Sequence, residues 1–412
     1  MPIAEREASG SGPLAGVRVL DFSQRIAGPY CGKLLAQLGA DVVKAEPPGR
    51  GDPSRTYGPF PNDIPHAEKS AQFLHLNLSK RGVTLDLSTV LGQRIALNLL
   101  EESHIVIESF KPGAMERLGL GPEMLRTRFP RLIVTSISNF GQGGPYRDWL
   151  SSEAITYAMG GPMQTTGLPE YEPVKLGATA IQHSAGLVAA LATLTSWLGS
   201  LRSAHGDHLD VSLFETQAGT IDRRTPQLVA HQHTGASFTR RPAGSMVAAG
   251  ARPCKDGYVI MAVPDPSFER FKDLVGGQRA LDDPRFASTD DKMKPGRADE
   301  FDIDYLLPWL LERTMDEACS QAQALRVACT PVYSAKDLLT APLFRERALW
   351  QAVTHPRAGT FEHPRAAFRF GDNPPLELTP SPTLGQHNRD IYTGELGMAD
   401  VELARLRRLG VI

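Results

Sequence analysis

Cysteine is scarce in this chain: four among 412 residues, at positions 31, 254, 319 and 329, with no pair at CxxC spacing. That argues against a zinc ribbon or a redox dithiol and leaves reduced thiols as the expectation. A surplus of one charge is also missing. Lys and Arg total 44 against 46 Asp and Glu, so the net charge is −2 and no electrostatic drive toward nucleic acid or an anionic membrane is expected. No apolar run reaches the roughly 18 residues of a membrane span; the longest candidate, Ala185 to Leu198, is shorter and is broken by threonines and a serine. The opening MPIAEREASGSG carries acidic residues and no apolar stretch, so 1–12 is expected to be a flexible tail and not a signal peptide. Four signatures are absent as well: GxGxxG after the first strand, GxxxxGK[ST], GxSxG and HExxH. What remains, at 41% apolar and 22% charged residues, is an ordinary globular chain. Its length suits two or three domains, and a cytoplasmic enzyme is the leading class.

The first 140 or so residues alternate β-branched runs with helical patterns. Val17 to Phe22 reads as a strand, Pro29 to Leu38 as a helix stopped by Gly39, and Asp41 to Glu46 as the next strand. The unit recurs at Gly82 to Leu87 (strand), Val90 to Glu102 (helix), His104 to Ser109 (strand) and Arg131 to Ser136 (strand). Strand–helix–strand repeats imply right-handed crossovers and an α/β fold with a Rossmann-like open parallel sheet. A small-residue helix follows from Ala185 to Trp197. Residues 221–250 show no clear period and read as a linker, and Asp256-Gly257 marks a hairpin turn. Helices are expected from about Phe268 to Leu325, and a charged one closes the chain at Asp400 to Leu409. No internal repeat is visible.

Two loops lie where ligands bind in such sheets, beyond the carboxyl ends of strands. In the first, Pro47 to Arg55, either Arg50 or Arg55 meets a phosphate, or both are exposed loop cations. The second, Phe140-Gly141-Gln142-Gly143-Gly144-Pro145-Tyr146, lets backbone N–H groups approach a ligand or is simply a turn.

Ordered blocks carry more information. The runs from Pro13 to Asp21, Ala27-Gly28-Pro29 and Leu35 to Asp52 closely resemble the opening of family III CoA-transferases. Asn77 to Arg81, Leu85-Asp86-Leu87, Glu108 to Gly113, Ser136 to Gln142 and Leu384 to His387 resemble it too, in order, over nearly the whole chain. The family includes formyl-CoA transferase, carnitine CoA-transferase and α-methylacyl-CoA racemase. The resemblance implies a large discontinuous domain built from both ends of the chain, a smaller inserted α+β domain, and an interlocked dimer. Its boundaries are expected at 13–220 for the first part of the large domain, 221–250 for the linker, 251–335 for the small domain and 336–412 for the return. It further implies acyl-CoA and carboxylic acid substrates, with coenzyme A bound as a thioester substrate and not as a permanent cofactor. Leu85 and Phe110 would lie near its adenine and Arg117 near its phosphates. Lys80 and Arg81 would be added phosphate partners, unless they are solvated loop cations.

The family's transferases use an Asp that attacks the acyl-CoA and then carries CoA as a thioester. It stands a few residues after Lys-Leu-Gly and four before the Gly of a small-residue helix. Here that helix opens at Gly186, and counting back four reaches Gln182. A glutamine amide is a very poor nucleophile, and 178–185 (ATAIQHSA) holds no carboxylate. The racemase's His/Asp pair would fall near Ser152 and Gln182, which exchange no proton with a carbon acid at neutral pH. Nearby, Glu153 or His183 acts as an acid/base on a CoA thioester, or else Glu153 caps a helix and His183 is a polar helix-start residue. Three functions stand on these residues. The first is a transferase subunit working beside a paralogue that has the Asp. The second is a homodimeric lyase, hydratase or isomerase using Glu153 or His183, and the third a non-catalytic thioester binder. The acyl pocket is expected to be shaped by Arg240, Arg241 and the loop 244–250.

Overall fold

Six short strands form one sheet, and all but the last are buried along almost their whole length, because helices cover both faces. They are β1 (Arg18–Asp21), β2 (Asp41–Glu46), β3 (Arg81–Thr84), β4 (Ile105–Glu108), β5 (Ile133–Ser138) and β6 (His208–Ser212). All neighbours pair parallel, in the order β3-β2-β1-β4-β5-β6. The order turns back at β1/β4, as in a doubly wound nucleotide-binding sheet. This is a computed structural model, and it describes residues 12–219, 224–237, 240, 247–371 and 376–412.

Helix α1 (Ala27–Ala36) joins β1 to β2, and α2 (Val90–Glu101) joins β3 to β4. Thr89 caps α2 by accepting the Gly92 N–H at 3.0 Å, the expected chemistry for a threonine at that position. Next come α3 (Glu153–Met159) and α4 (Ala180–Ser203). The latter has 24 residues and is long and apolar enough, by composition alone, to cross a membrane. One face, with Ile181, Ala185, Gly186, Ala189, Ala190 and Thr193 buried, belongs to the same core as α1 and the strands. Small residues allow the close approach: a Cβ on Gly186 would lie 2.5 Å from the Ala27 carbonyl oxygen.

The edge strand β3 is covered by residues from far down the chain. Asn388 Oδ1 accepts the Thr84 N–H at 2.8 Å, Tyr392 Oη donates to the Thr84 carbonyl at 2.7 Å, and the Asp86 N–H reaches the Val411 carbonyl at 2.8 Å. Ile391, Tyr392, Leu403, Leu406, Val411 and Ile412 join the core behind it. Both ends of the chain therefore build one sheet.

The described chain divides into two units, the first from Met1–Gln164, Val174–Ser237 and Arg347–Ile412, the second from Thr165–Pro173 and Phe238–Glu346. These bounds differ from the expected ones. The segment expected as a linker contains a helix, Arg224–Thr234, which belongs to the first unit, and the return begins at Arg347, not 336. The helix at 224–234 is mostly polar, which hides it in the sequence, and the helices Ala335–Thr340 and Pro342–Glu346 place 336–346 with the second unit. The tail 1–11, Arg241 and 244–246 lie outside the described residues. In the second unit β7 (Ala249–Pro253), β8 (Tyr258–Ala262) and β9 (Ala328–Pro331) form an antiparallel sheet, with Asp256-Gly257 in the turn between β7 and β8. Cys319 and Cys329, ten residues apart, come within 3.4 Å there as free thiols.

Candidate functional site

Loops leaving the carboxyl ends of β1 and β4 run in opposite directions and leave a crevice between them. A cavity of about 610 Å³ opens there. It is lined by residues 24–27 after β1, 109–112 after β4, 137–139 at the end of β5, and 147–153 leading into α3. Thr179 and Gln182 from the start of α4 border it, with Tyr57 and Gln72.

The turn after β1 is held from below by buried charges. Its Ser23 N–H donates to Asp21 Oδ1 at 2.9 Å, the Gln24 N–H to Ser109 Oγ at 2.8 Å, and the Arg25 N–H to Asp52 Oδ1 at 3.1 Å. Lys44 Nζ donates to the Ser23 carbonyl at 2.8 Å and pairs with Asp52 at 2.9 Å, both side chains being sealed from solvent. Burial pushes the Asp52 carboxyl upward, but the Lys44 ammonium and the Ser54 N–H more than offset it and hold it below the usual carboxylate range. Burial likewise works against the Lys44 charge, and Asp52, Asp21 and Glu46 outweigh it and raise the ammonium above its ordinary value. So held, Arg25 adopts a φ of 70°, rare for a residue with a side chain. Its Nη1 donates to Tyr57 Oη at 2.6 Å, and among the described residues no carboxylate pairs with it. Sequence reasoning missed Arg25; its one signal was its place directly after the first strand of the sheet.

The residues singled out in the sequence fall into three groups. Phe110 and Gln182 line the cavity, and the Gln182 side chain makes no hydrogen bond within the described residues. Glu153 lines it as well. Its Oε1 accepts the Ile181 N–H at 2.7 Å, capping the first turn of α4, while its Oε2 is buried without a partner. Leu85 and Arg117 do not border the cavity. Leu85 is packed in the core behind the sheet, and Arg117 is exposed at the end of the short helix Ala114–Arg117. A Cβ on Gly113 would meet Arg117 Nη1 at 3.2 Å and Arg147 Nη2 at 3.0 Å, so two guanidinium groups converge on that glycine beside β4.

The third group is corrected by its partners. All three donors of Lys80 are engaged inside the fold, by Asp21 Oδ2 at 2.9 Å, the Pro29 carbonyl at 2.8 Å and Asn77 Oδ1 at 3.0 Å, leaving none for a phosphate. Arg81 sits at the amino end of β3, away from the ligand side of the sheet, and pairs with Asp41 and Glu395, each at 2.5 Å. His183 turns Nδ1 to the Thr179 carbonyl at 2.9 Å, stands edge-on to Tyr30 at 4.8 Å, and does not border the cavity. Arg55 fits neither reading of its loop. It is fully buried, with bonds to Glu46 at 2.7 and 2.8 Å and to Glu68 at 2.7 Å, and stacks 3.6 Å from the Phe73 ring centre. In the Gly-rich loop, the Gln142 N–H is taken by Asp210 Oδ2 at 2.8 Å. Glu108, ending β4, accepts the Phe110 N–H at 2.7 Å, and burial raises its carboxyl to about 7.

Residues 14–388 match CoA-transferase family III. The chain is 34% identical to the succinyl-CoA--D-citramalate CoA-transferase of Chloroflexus aurantiacus, over 97% of this chain and 98% of that one. It is 31% identical to the formyl-CoA:oxalate CoA-transferase of Streptomyces avermitilis, over 97% of this chain and 99% of that one. A crystal structure of a CAIB/BAIF family protein from Brucella suis superposes with a TM-score of 0.81 at 28% identity, over 93% of this chain and 99% of that one. With the ordered blocks, the sheet order and the cavity at its reversal all in agreement, the chain belongs to CoA-transferase family III.

Proposed function

We propose that this chain serves CoA transfer between an acyl-CoA and a carboxylic acid as one subunit of a heteromer, its partner a paralogue that supplies the nucleophilic carboxylate. The observation that carries this reading is Gln182, whose unbonded side chain borders the cavity at the start of α4. Transfer needs a carboxylate that attacks the thioester carbon, expels CoA as thiolate, and is then itself attacked to hold CoA as a thioester. An amide does neither. The cavity's other carboxylates stand elsewhere, Asp148 on the exposed loop before α3 and Glu153 at the first turn of α3, where its Oε1 is engaged in capping α4. What Gln182 supplies instead is an N–H for the thioester carbonyl.

An exposed apolar stripe supports the reading of a partner subunit. On the outer face of α4, Leu187, Leu191, Leu198 and Leu201 are each more than half exposed and recur at helical spacing. A second reading is favoured by one observation, the unpartnered Oε2 of Glu153, which would act as an acid/base on a bound thioester without covalent transfer.

Intact mass measured after incubation with acyl-CoA separates the two. The chain alone is expected to show neither acyl nor CoA adduct and no turnover, and the assembled pair to transfer with the adduct on the partner. Q182D is expected to gain an adduct on this chain. Full-rate transfer by the isolated wild-type chain would overturn the heteromer reading, and adduct-free turnover by that chain, lost in E153Q with its fold intact by circular dichroism, would favour the second one.

A further inference from the structure

Arg25 is the one cation at the cavity whose backbone is fixed by buried ion pairs. Its turn is tied to Asp52, Ser109 and Lys44 in a left-handed conformation, and its guanidinium is steadied by Tyr57 while keeping donors free of any carboxylate. A fold holds such strain where a side chain must be aimed. Arg25 lies two residues before Ala27, whose carbonyl abuts Gly186, and Gly186 is one helical turn from Gln182. Arg25 and Gln182 line the same cavity, so a ligand whose thioester carbonyl meets Gln182 extends into the space that Arg25 borders. The pantetheine arm keeps the phosphates of CoA well away from that carbonyl, and the pair Arg117 and Arg147 converge instead beside β4.

From this placement we infer that Arg25 is a specificity residue, holding the distal carboxylate of a dicarboxylic acyl group or acid in a forked, charge-assisted pair. The inference rests on the reading of the cavity as a CoA-thioester site. Arg25 touches the far end of the acyl group and not the reacting atoms. Arg25 is exposed, so water serves its free donors when the acyl chain is neutral, and selection comes from the charge-assisted pair that only a carboxylate-ended ligand gains.

The test compares succinyl-CoA, butyryl-CoA and free CoA by calorimetry on the full chain, together with its partner subunit where assembly requires one. The two acyl groups have four carbons each and differ in ending in a carboxylate or a methyl. Wild type is expected to bind succinyl-CoA about tenfold or more tightly than butyryl-CoA. R25A should bind the two alike with free CoA unchanged, and R25K should keep part of the preference. No preference in wild type, or a preference that survives in R25A with its fold intact by circular dichroism, overturns the inference. Equal loss of free CoA binding in R25A overturns it too, by assigning Arg25 to a phosphate. Failure of wild type to bind free CoA would instead remove the thioester reading, and the anchor with it.

Discussion

Replacing Lys44 by Met tests whether buried charge holds the turn that presents Arg25. The Lys44 and Asp52 side chains are 0% and 1% exposed, so neither charge has water to fall back on. K44M removes the ammonium, leaves Asp52 with only N–H donors, and strips the Ser23 carbonyl of its donor. Breaking a buried pair from one side costs about 3–5 kcal/mol. For a unit of this size that is a fall of roughly 10 °C in its melting transition. K44M/D52N removes both charges and should be clearly more stable than the sum of the single variants, since two uncompensated charges no longer remain. The pH dependence has a definite sign. Asp52 is depressed in the fold, so its pairing stabilises above the unfolded-state value of about 4 and is lost as pH falls through the folded value below it. In K44M the acid limb should move to higher pH. Thermal melts from about pH 2 to about pH 7, together with hydrogen exchange over residues 23–26, read both effects. A K44M chain within about 1 kcal/mol of wild type, with unchanged exchange in the turn, would refute the claim that the pair positions it.

Two other variants probe separate features. Burial raises Glu108 from an ordinary 4.5 to about 7, so the fold holds a proton the unfolded chain releases, and stability should fall as pH rises through that window, on the order of 3 kcal/mol in all; E108Q should flatten that slope, and parallel curves for the two proteins would contradict it. On α4, Leu191 is 65% exposed, so L191D should leave the melting point of the isolated chain within about 0.5 kcal/mol of wild type yet weaken subunit assembly in sedimentation; unchanged assembly would show that this stripe is not the covered surface.

The sheet was legible because parallel strands buried on both faces are written as short apolar runs, and Asp41 to Glu46 falls where that pattern puts it. Burial of charge was not legible. Lys80 and Asp21 are 59 positions apart and Arg55 and Pro382 are 327 apart, so a loop cation and a buried one read alike until the segments meet. For the same reason Arg55 reads in sequence as a phosphate partner or an exposed loop cation and is neither, while Arg25, which does line the cavity, carries no comparable signal. Position 182 is the opposite case. Its meaning came from an ordered block and a count of four residues, with no dependence on tertiary contact. Glu153 lay between the two: its helix-capping role was readable from its place, and the sealed second oxygen was not.

The covering of β3 has a consequence in time. Thr84 obtains its partner Asn388 304 residues later in the chain. At about 5–20 residues per second, a ribosome needs roughly 15–60 s to make that stretch. Throughout this interval the first strands exist with an open edge, a template for pairing with any neighbouring chain. Closure of the sheet is thus a late event of synthesis, because the bonds from His387 to Gly82 and from Asp86 to Val411 cannot form until residues 387–412 are made. Loss of that segment would leave a protein whose edge never closes, with the cavity loops still encoded but the sheet beneath them unfinished.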